Sequence, residues 1–146
     1  MNINIRLLND TAKIPYRGSE EAAGYDLYAC IGRSNKVIKP NETVKINTGI
    51  AMEIPKGYFG AIYARSGLSI KEGLRPANCV GILDSDYRGE IIVALHNDSD
   101  MQKIIKDGDR IAQLVVQPYL NCSFTLVENL DETKRGNGGF GSTGIK

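Results

Sequence analysis

From Thr43 to Pro55 the apolar residues fall on even positions: Val44, Ile46, Ile50, Met52 and Ile54, with Lys45, Asn47 and Glu53 between them. A period of two puts alternate side chains on opposite faces of an extended chain, so this stretch predicts a strand with one buried face, not a helix. Thr48-Gly49 interrupts the pattern and leaves two readings, one long strand or a hairpin pivoting there. Shorter strand-like runs occupy residues 24–31, 58–64, 79–83, 90–96, 110–117 and 123–128. Turn chemistry separates them at Lys39-Pro40-Asn41, Pro55-Lys56-Gly57, Asp98-Ser99-Asp100 and Lys106-Asp107-Gly108-Asp109. Only Ser66–Glu72 reads as a helix, with Ser66 as N-cap and Gly73 as its stop. Many short strands at such spacing predict an all-β fold, a jelly-roll-like β-barrel with one short helix.

The chain's 146 residues are about one domain's worth, and no repeat or linker divides them. The one compositional break is near the end. Residues 135–144 hold five glycines and no aliphatic side chain, so they cannot fold on a core of their own. The expected division is therefore a β-barrel body of residues 1–134 and a flexible glycine-rich arm of residues 135–146. Eighteen Lys and Arg against seventeen Asp and Glu leave a formal charge of +1. That balance argues against coating nucleic acid, and still permits a few arginines aimed at one phosphorylated ligand. No apolar run approaches the ~20 residues that span a bilayer, and the N-terminus lacks the build of a signal peptide, so a cytoplasmic protein without a membrane partner is expected. Cys30, Cys79 and Cys122 cannot all pair, and with His96 alone they make too few soft ligands for zinc; free buried thiols are expected.

Four stretches carry candidate chemistry. Ala64-Arg65-Ser66-Gly67-Leu68 runs from a strand into the short helix. An arginine and a hydroxyl beside unpaired N–H groups suit an oxyanion, although an ordinary cap with a solvated arginine fits the same residues. In Gly81-Ile82-Leu83-Asp84-Ser85-Asp86-Tyr87-Arg88-Gly89-Glu90, a hairpin turn loaded with carboxylates follows an apolar run. Asp84 is expected to be partly enclosed and able to take a proton from water, or else to bond its own turn. Gln113 interrupts a buried strand, and its amide needs partners, either backbone or ligand. The arm's successive glycines can form an anion-binding nest or remain a solvated tail. His96, with no acidic or cysteine partner at ligand spacing, reads as structural.

Taken together these segments resemble the homotrimeric dUTPases, deoxyuridine 5′-triphosphate nucleotidohydrolases. Five motifs stand in family order: Ala23-Gly24-Tyr25-Asp26-Leu27-Tyr28-Ala29; Arg65-Ser66-Gly67-Leu68; residues 78–89; Gly108-Asp109-Arg110-Ile111-Ala112-Gln113-Leu114; and residues 135–144. The resemblance implies Mg²⁺-assisted hydrolysis of dUTP to dUMP and pyrophosphate, which keeps uracil out of DNA and supplies dUMP for thymidylate synthesis. It implies that Arg65, Ser66 and Gly67 hold the phosphate chain and that Gln113 touches it. Asn78 with the backbone of Gly81, Ile82 and Leu83 reads uracil. Asp84 activates the water that attacks the α-phosphorus, and Tyr87 lies under the deoxyribose, where it would collide with a 2′-hydroxyl. Asp26 reaches the metal through water, the other metal ligands being substrate phosphates. Arg135, Phe140, Gly141, Ser142 and Thr143 form a lid, and the active sites lie between subunits of a homotrimer. Two departures are small: Ala64 stands where proline is usual, and Leu83 where isoleucine is usual. Two other roles are compatible with the family's fold, a dCTP deaminase and a phage-type protein-binding regulator.

Overall fold

The computed structural model describes residues 1–78 and 80–139. Eleven strands and one helix occur among them: β1 (Asn4–Leu7), β2 (Tyr25–Tyr28), β3 (Lys36–Ile38), β4 (Thr43–Asn47), β5 (Ile50–Glu53), β6 (Tyr58–Tyr63), α1 (Ser66–Glu72), β7 (Leu74–Pro76), β8 (Gly81–Leu83), β9 (Ile92–Asn97), β10 (Lys103–Ile105) and β11 (Arg110–Pro118). All their pairings are antiparallel. The largest sheet runs β2-β11-β6-β8, a second runs β4-β9-β7, and β1-β5 and β10-β3 form two-stranded ribbons. The all-β, jelly-roll-like arrangement with one short helix is the one expected. No described helix is long and apolar enough to cross a membrane.

The core lies between the sheets, where Leu27, Ile38, Ile46, Ile50, Ile91, Leu95 and Ile111 are fully buried. Each such side chain contributes about 1.5–3 kcal/mol relative to exposure, so a few of them outweigh any surface ion pair. Gly60 marks how closely β6 is packed: a Cβ there would stand 2.8 Å from the Leu114 side chain and 2.9 Å from that of Ile54.

The even-numbered apolar residues of 43–55 do face inward, with Ile46, Ile50, Met52 and Ile54 buried. They form neither one strand nor a hairpin. β4 pairs with β9 and β5 with β1, so the chain changes layers at Thr48-Gly49. Gly49 takes φ +68°, and the buried Thr48 hydroxyl donates to the Ile91 carbonyl at 2.5 Å. A Cβ at Gly49 would come within 2.7 Å of Cys30 Sγ, so glycine is needed both for the conformation and for the space.

Three further differences have local causes. Residues 123–128 form no strand, because a strand needs a neighbouring ladder for its backbone groups and this chain offers none there. Phe124 and Leu126 are 97% and 100% exposed as a result, and Cys122 is exposed while Cys30 is buried; Cys79 lies outside the described residues. β1, β3, β7 and β10 span three or four residues each, too few to leave a periodic signal. The helix occupies the expected residues, but Arg65 is its N-cap and no side chain caps it, whereas Gly73 ends it at φ +68°.

Candidate functional site

The candidate residues among those described, Arg135 apart, gather at two places along the largest sheet. The first is built around β11, where Gln113 is in register with Asp26 of β2 on one side and Tyr63 of β6 on the other. Two residues past Tyr63 comes Arg65, whose Nε donates to Asp26 Oδ1 at 2.8 Å. Arg110 Nη1 donates to the other carboxylate oxygen at 3.2 Å, and Arg65 Nη1 reaches the Arg110 carbonyl at 3.2 Å. The Asp26 side chain is 14% exposed, against 25% for Arg65 and 54% for Arg110. One enclosed carboxylate thus holds two guanidiniums in place and leaves a net positive charge at the surface, which suits a multiply charged anion. Sequence reasoning gave Arg110 no role. Its signal is its place in the Gly108-Asp109-Arg110 turn, one strand away from Asp26.

Gln113 has found a backbone partner: its Nε2 donates to the Ala64 carbonyl at 2.9 Å. The bond ties β11 to the residue just before Arg65. Ala64 makes it with a carbonyl, a group that alanine and proline share, so the departure at this position keeps the contact. Gly24 leaves the room for it, since a Cβ there would overlap Gln113 Oε1. Ser66 and Gly67 are exposed in the first turn of α1, which carries no acidic residue to repel an anion.

The second place is the hairpin beyond β8. Gly81, Ile82 and Leu83 pair with Ile62, Ala61 and Gly60, and β8 is the outermost strand of its sheet. An outermost strand has backbone donors and acceptors on its free side. A pocket of about 200 Å³ opens there, lined by Asn78, Gly81, Leu83, Asp84, Tyr87 and Glu90 among others. The Asn78 amide sits against Gly81, where an added Cβ would be 3.1 Å from Asn78 Nδ2. Tyr87 is pulled back across the turn, its hydroxyl donating to the Glu90 carbonyl at 2.9 Å. Gly89 permits this, because a Cβ there would overlap the Tyr87 hydroxyl. Asp84 is exposed, contrary to the enclosure expected of it, and among the described residues its carboxylate makes no bond to its own turn. Residues 86–89, at the tip of the hairpin, are exposed as well.

These two places are far apart within one chain. Leu83 pairs with Gly60, so Asp84 lies level with Phe59, while Arg65 comes six residues later along β6 and its extension. At about 3.3 Å per residue the separation is roughly 20 Å. Arg135 belongs to neither place: its Nε donates to the Gly138 carbonyl at 2.8 Å within a local turn. Phe140, Gly141, Ser142 and Thr143 lie outside the described residues. His96 has structural partners, Thr43 Oγ1 at 2.9 Å and Asp98 at 3.5 Å.

Comparison with known proteins bears on the same residues. A family model described as dUTPase matches residues 10–144. A deoxyuridine 5′-triphosphate nucleotidohydrolase of Desulfitobacterium hafniense is 51% identical over 134 residues, covering 91% of this chain and 88% of that protein. One from Hydrogenobaculum is 44% identical over the full length of both. Among solved structures, a point mutant of the dUTPase of Staphylococcus bacteriophage 80alpha with dUpNHpp superimposes with a TM-score of 0.88 at 29% identity, covering 99% of each chain. A mutant dUTPase from phage phi11 of S. aureus, described with a structural Mg(II) ion, superimposes with a TM-score of 0.79 at 27% identity, covering 90% of this chain and all of that one.

Proposed function

The chain belongs to the dUTPase family, and from that premise we propose that it hydrolyses dUTP to dUMP and pyrophosphate in a site completed by neighbouring copies of the chain. One observation carries the reading. A place fit for a phosphate chain and a place fit for a planar base lie at opposite ends of the same strand, roughly 20 Å apart. A base must sit within hydrogen-bond reach of the attacking water, so Asp84 cannot serve phosphates held by the Arg65 of its own chain. Arg65 of one copy and Asp84 of another therefore face the same nucleotide. Two apolar features favour such an assembly. Leu120, Phe124, Leu126 and Leu130 are exposed on residues 119–130, and a groove of about 500 Å³ lined by Ile3, Ile5, Ile14 and Met52 runs beside β1. A monomer rarely leaves so much apolar surface in water, and a homotrimer would bury both.

In this site Asn78 and the open edge of β8 pair with uracil, whose N3–H donates and whose O4 accepts. Cytosine reverses both, and would leave enclosed groups unpaired. Tyr87 lies under the deoxyribose and excludes a 2′-hydroxyl by overlap. Arg65, Ser66, Gly67 and Gln113 hold the phosphates. Asp84 takes a proton from the water that attacks the α-phosphorus; the bond to the bridging oxygen breaks and pyrophosphate leaves. The arm, residues 135–146, closes over the nucleotide with Phe140 on the base and Arg135, Gly141, Ser142 and Thr143 at the phosphates. The donor set fits Mg²⁺ carried by the substrate: Asp26 is a single carboxylate beside the phosphate place, and no cluster of three or more acidic, His or Cys side chains occurs among the described residues. Asp26 would hold such an ion through water, and the ion would supply positive charge to offset that of the phosphate oxygens. The reaction would take place in the cytoplasm.

Pyrophosphate release measured across dUTP, UTP, dCTP and dTTP tests the reading. Release from dUTP alone is expected, with a sedimenting mass of three chains. Ammonia from dCTP, or no turnover of dUTP, would replace it with the deaminase or the regulatory role.

A further inference from the structure

The return limb of the nucleoside hairpin is tied to a part of the chain that no motif includes. Glu90 accepts from Asn47 Nδ2 at 2.7 Å through one carboxylate oxygen and from the Gly49 amide at 2.8 Å through the other. Next to it, the Ile91 amide donates to the Ile50 carbonyl at 2.9 Å, and the Thr48 hydroxyl donates to the Ile91 carbonyl at 2.5 Å. The turn of residues 47–50 is itself anchored: the Cys30 amide donates to the Asn47 carbonyl at 2.8 Å and the Leu8 amide to the Gly49 carbonyl at 2.7 Å. The Glu90 carbonyl in turn receives the Tyr87 hydroxyl at 2.9 Å.

We infer that Glu90 is the positioning residue of the nucleoside hairpin: its carboxylate staples the return limb to the turn of residues 47–50 and so sets where Tyr87 stands. The assignment rests on the nucleotide site proposed above. Both oxygens are used, and by two different donors, so the carboxylate is matched to its place in charge and in shape. Glutamine has one acceptor and one donor, and one of its two ends must face another donor. The ring of Tyr87 would then be held by a backbone carbonyl that has lost its own fixed support. Glu90 does not touch the substrate in this scheme; it acts through Tyr87.

Glu90→Gln alone and Glu90→Gln combined with Asn47→Asp provide the test. The pair exchanges donor and acceptor: the new carboxylate at position 47 would receive the glutamine N–H, while the glutamine oxygen keeps the Gly49 N–H. For the single variant, dUMP affinity and the preference for dUTP over UTP should each fall roughly tenfold, as for a lost charge-assisted bond. Binding of inorganic pyrophosphate should stay unchanged, KM should move more than kcat, and the pair should recover most of the loss. A lower melting temperature with unchanged dUMP affinity would overturn the assignment, as would a folded pair that recovers nothing. Failure of the unmodified protein to bind dUMP or to hydrolyse dUTP would instead strike the underlying site.

Discussion

At one end of β6 the candidate site is made of side chains that hold one another, and at the other it is made of backbone left open. Around Asp26, two guanidiniums, an amide and two carbonyls are joined by bonds of 2.8–3.2 Å before any ligand arrives. Around β8, a strand edge, an exposed carboxylate and a tyrosine turned back on its own hairpin present groups open to solvent. The charged half can be assembled within one chain because one carboxylate offsets the repulsion between its two cations. The open half, if it is to select a base as proposed, needs an apolar, water-poor surrounding for its hydrogen bonds. A second copy of the chain can supply that surface.

The sharpest way to break the comparison is Asp84→Asn, which removes the proposed proton acceptor of the open half and leaves the charged half intact. Turnover should fall by about 10²–10⁴ with dUTP binding retained; near-normal kcat in purified variant would remove Asp84 from the chemistry. Truncation after Lys134 comes next. It takes away the base stack proposed for Phe140 and the phosphate contact proposed for Arg135, which together should lower kcat/KM by about 10² or more while the melting temperature holds. Full activity of the truncated chain would reduce the arm to a tail.

A smaller effect is expected from Gly24→Ala on the charged half. The added methyl would overlap Gln113 Oε1, so the amide must release the Ala64 carbonyl and the Arg65 loop loses its tether. Pyrophosphate should inhibit about tenfold less well while dUMP binds as before. Equal weakening of both ligands would show that the two halves are not independent. A change of the same size, confined to discrimination, is expected of Tyr87→Ala, which should leave kcat for dUTP within severalfold and shift the ratio of kcat/KM for dUTP and UTP by about tenfold toward UTP. An unchanged ratio would take the tyrosine out of discrimination.

Much of this was legible before any fold was known, and for identifiable reasons. Alternating Ile46, Ile50, Met52 and Ile54 reported a buried face, because strand period is a local property of the backbone. Gly73 reported the end of α1, because αL conformation is a local demand. Arg65, Asp84 and Tyr87 stood out as residue types whose spacing matched a family. Gly24 and Arg110 stood inside those motifs and Glu90 at the end of the stretch 81–90, yet none was given a role, because each matters through a partner many residues away: Gln113, Asp26 and the turn at Gly49.

The order of the residues by itself determined that the fold is all-β, that a helix spans Ser66–Glu72, and that the chain's motifs are those of a nucleotide hydrolase family. These follow from period, turn chemistry and motif, each written in neighbouring residues. The tertiary structure alone decided that β4 and β5 part into different sheets, that Asp26 holds both Arg65 and Arg110, and that Asp84 stands exposed at the far end of β6. Those outcomes depend on which strands meet. Pairing is settled by the burial of whole faces against one another, an energy that no single segment contains.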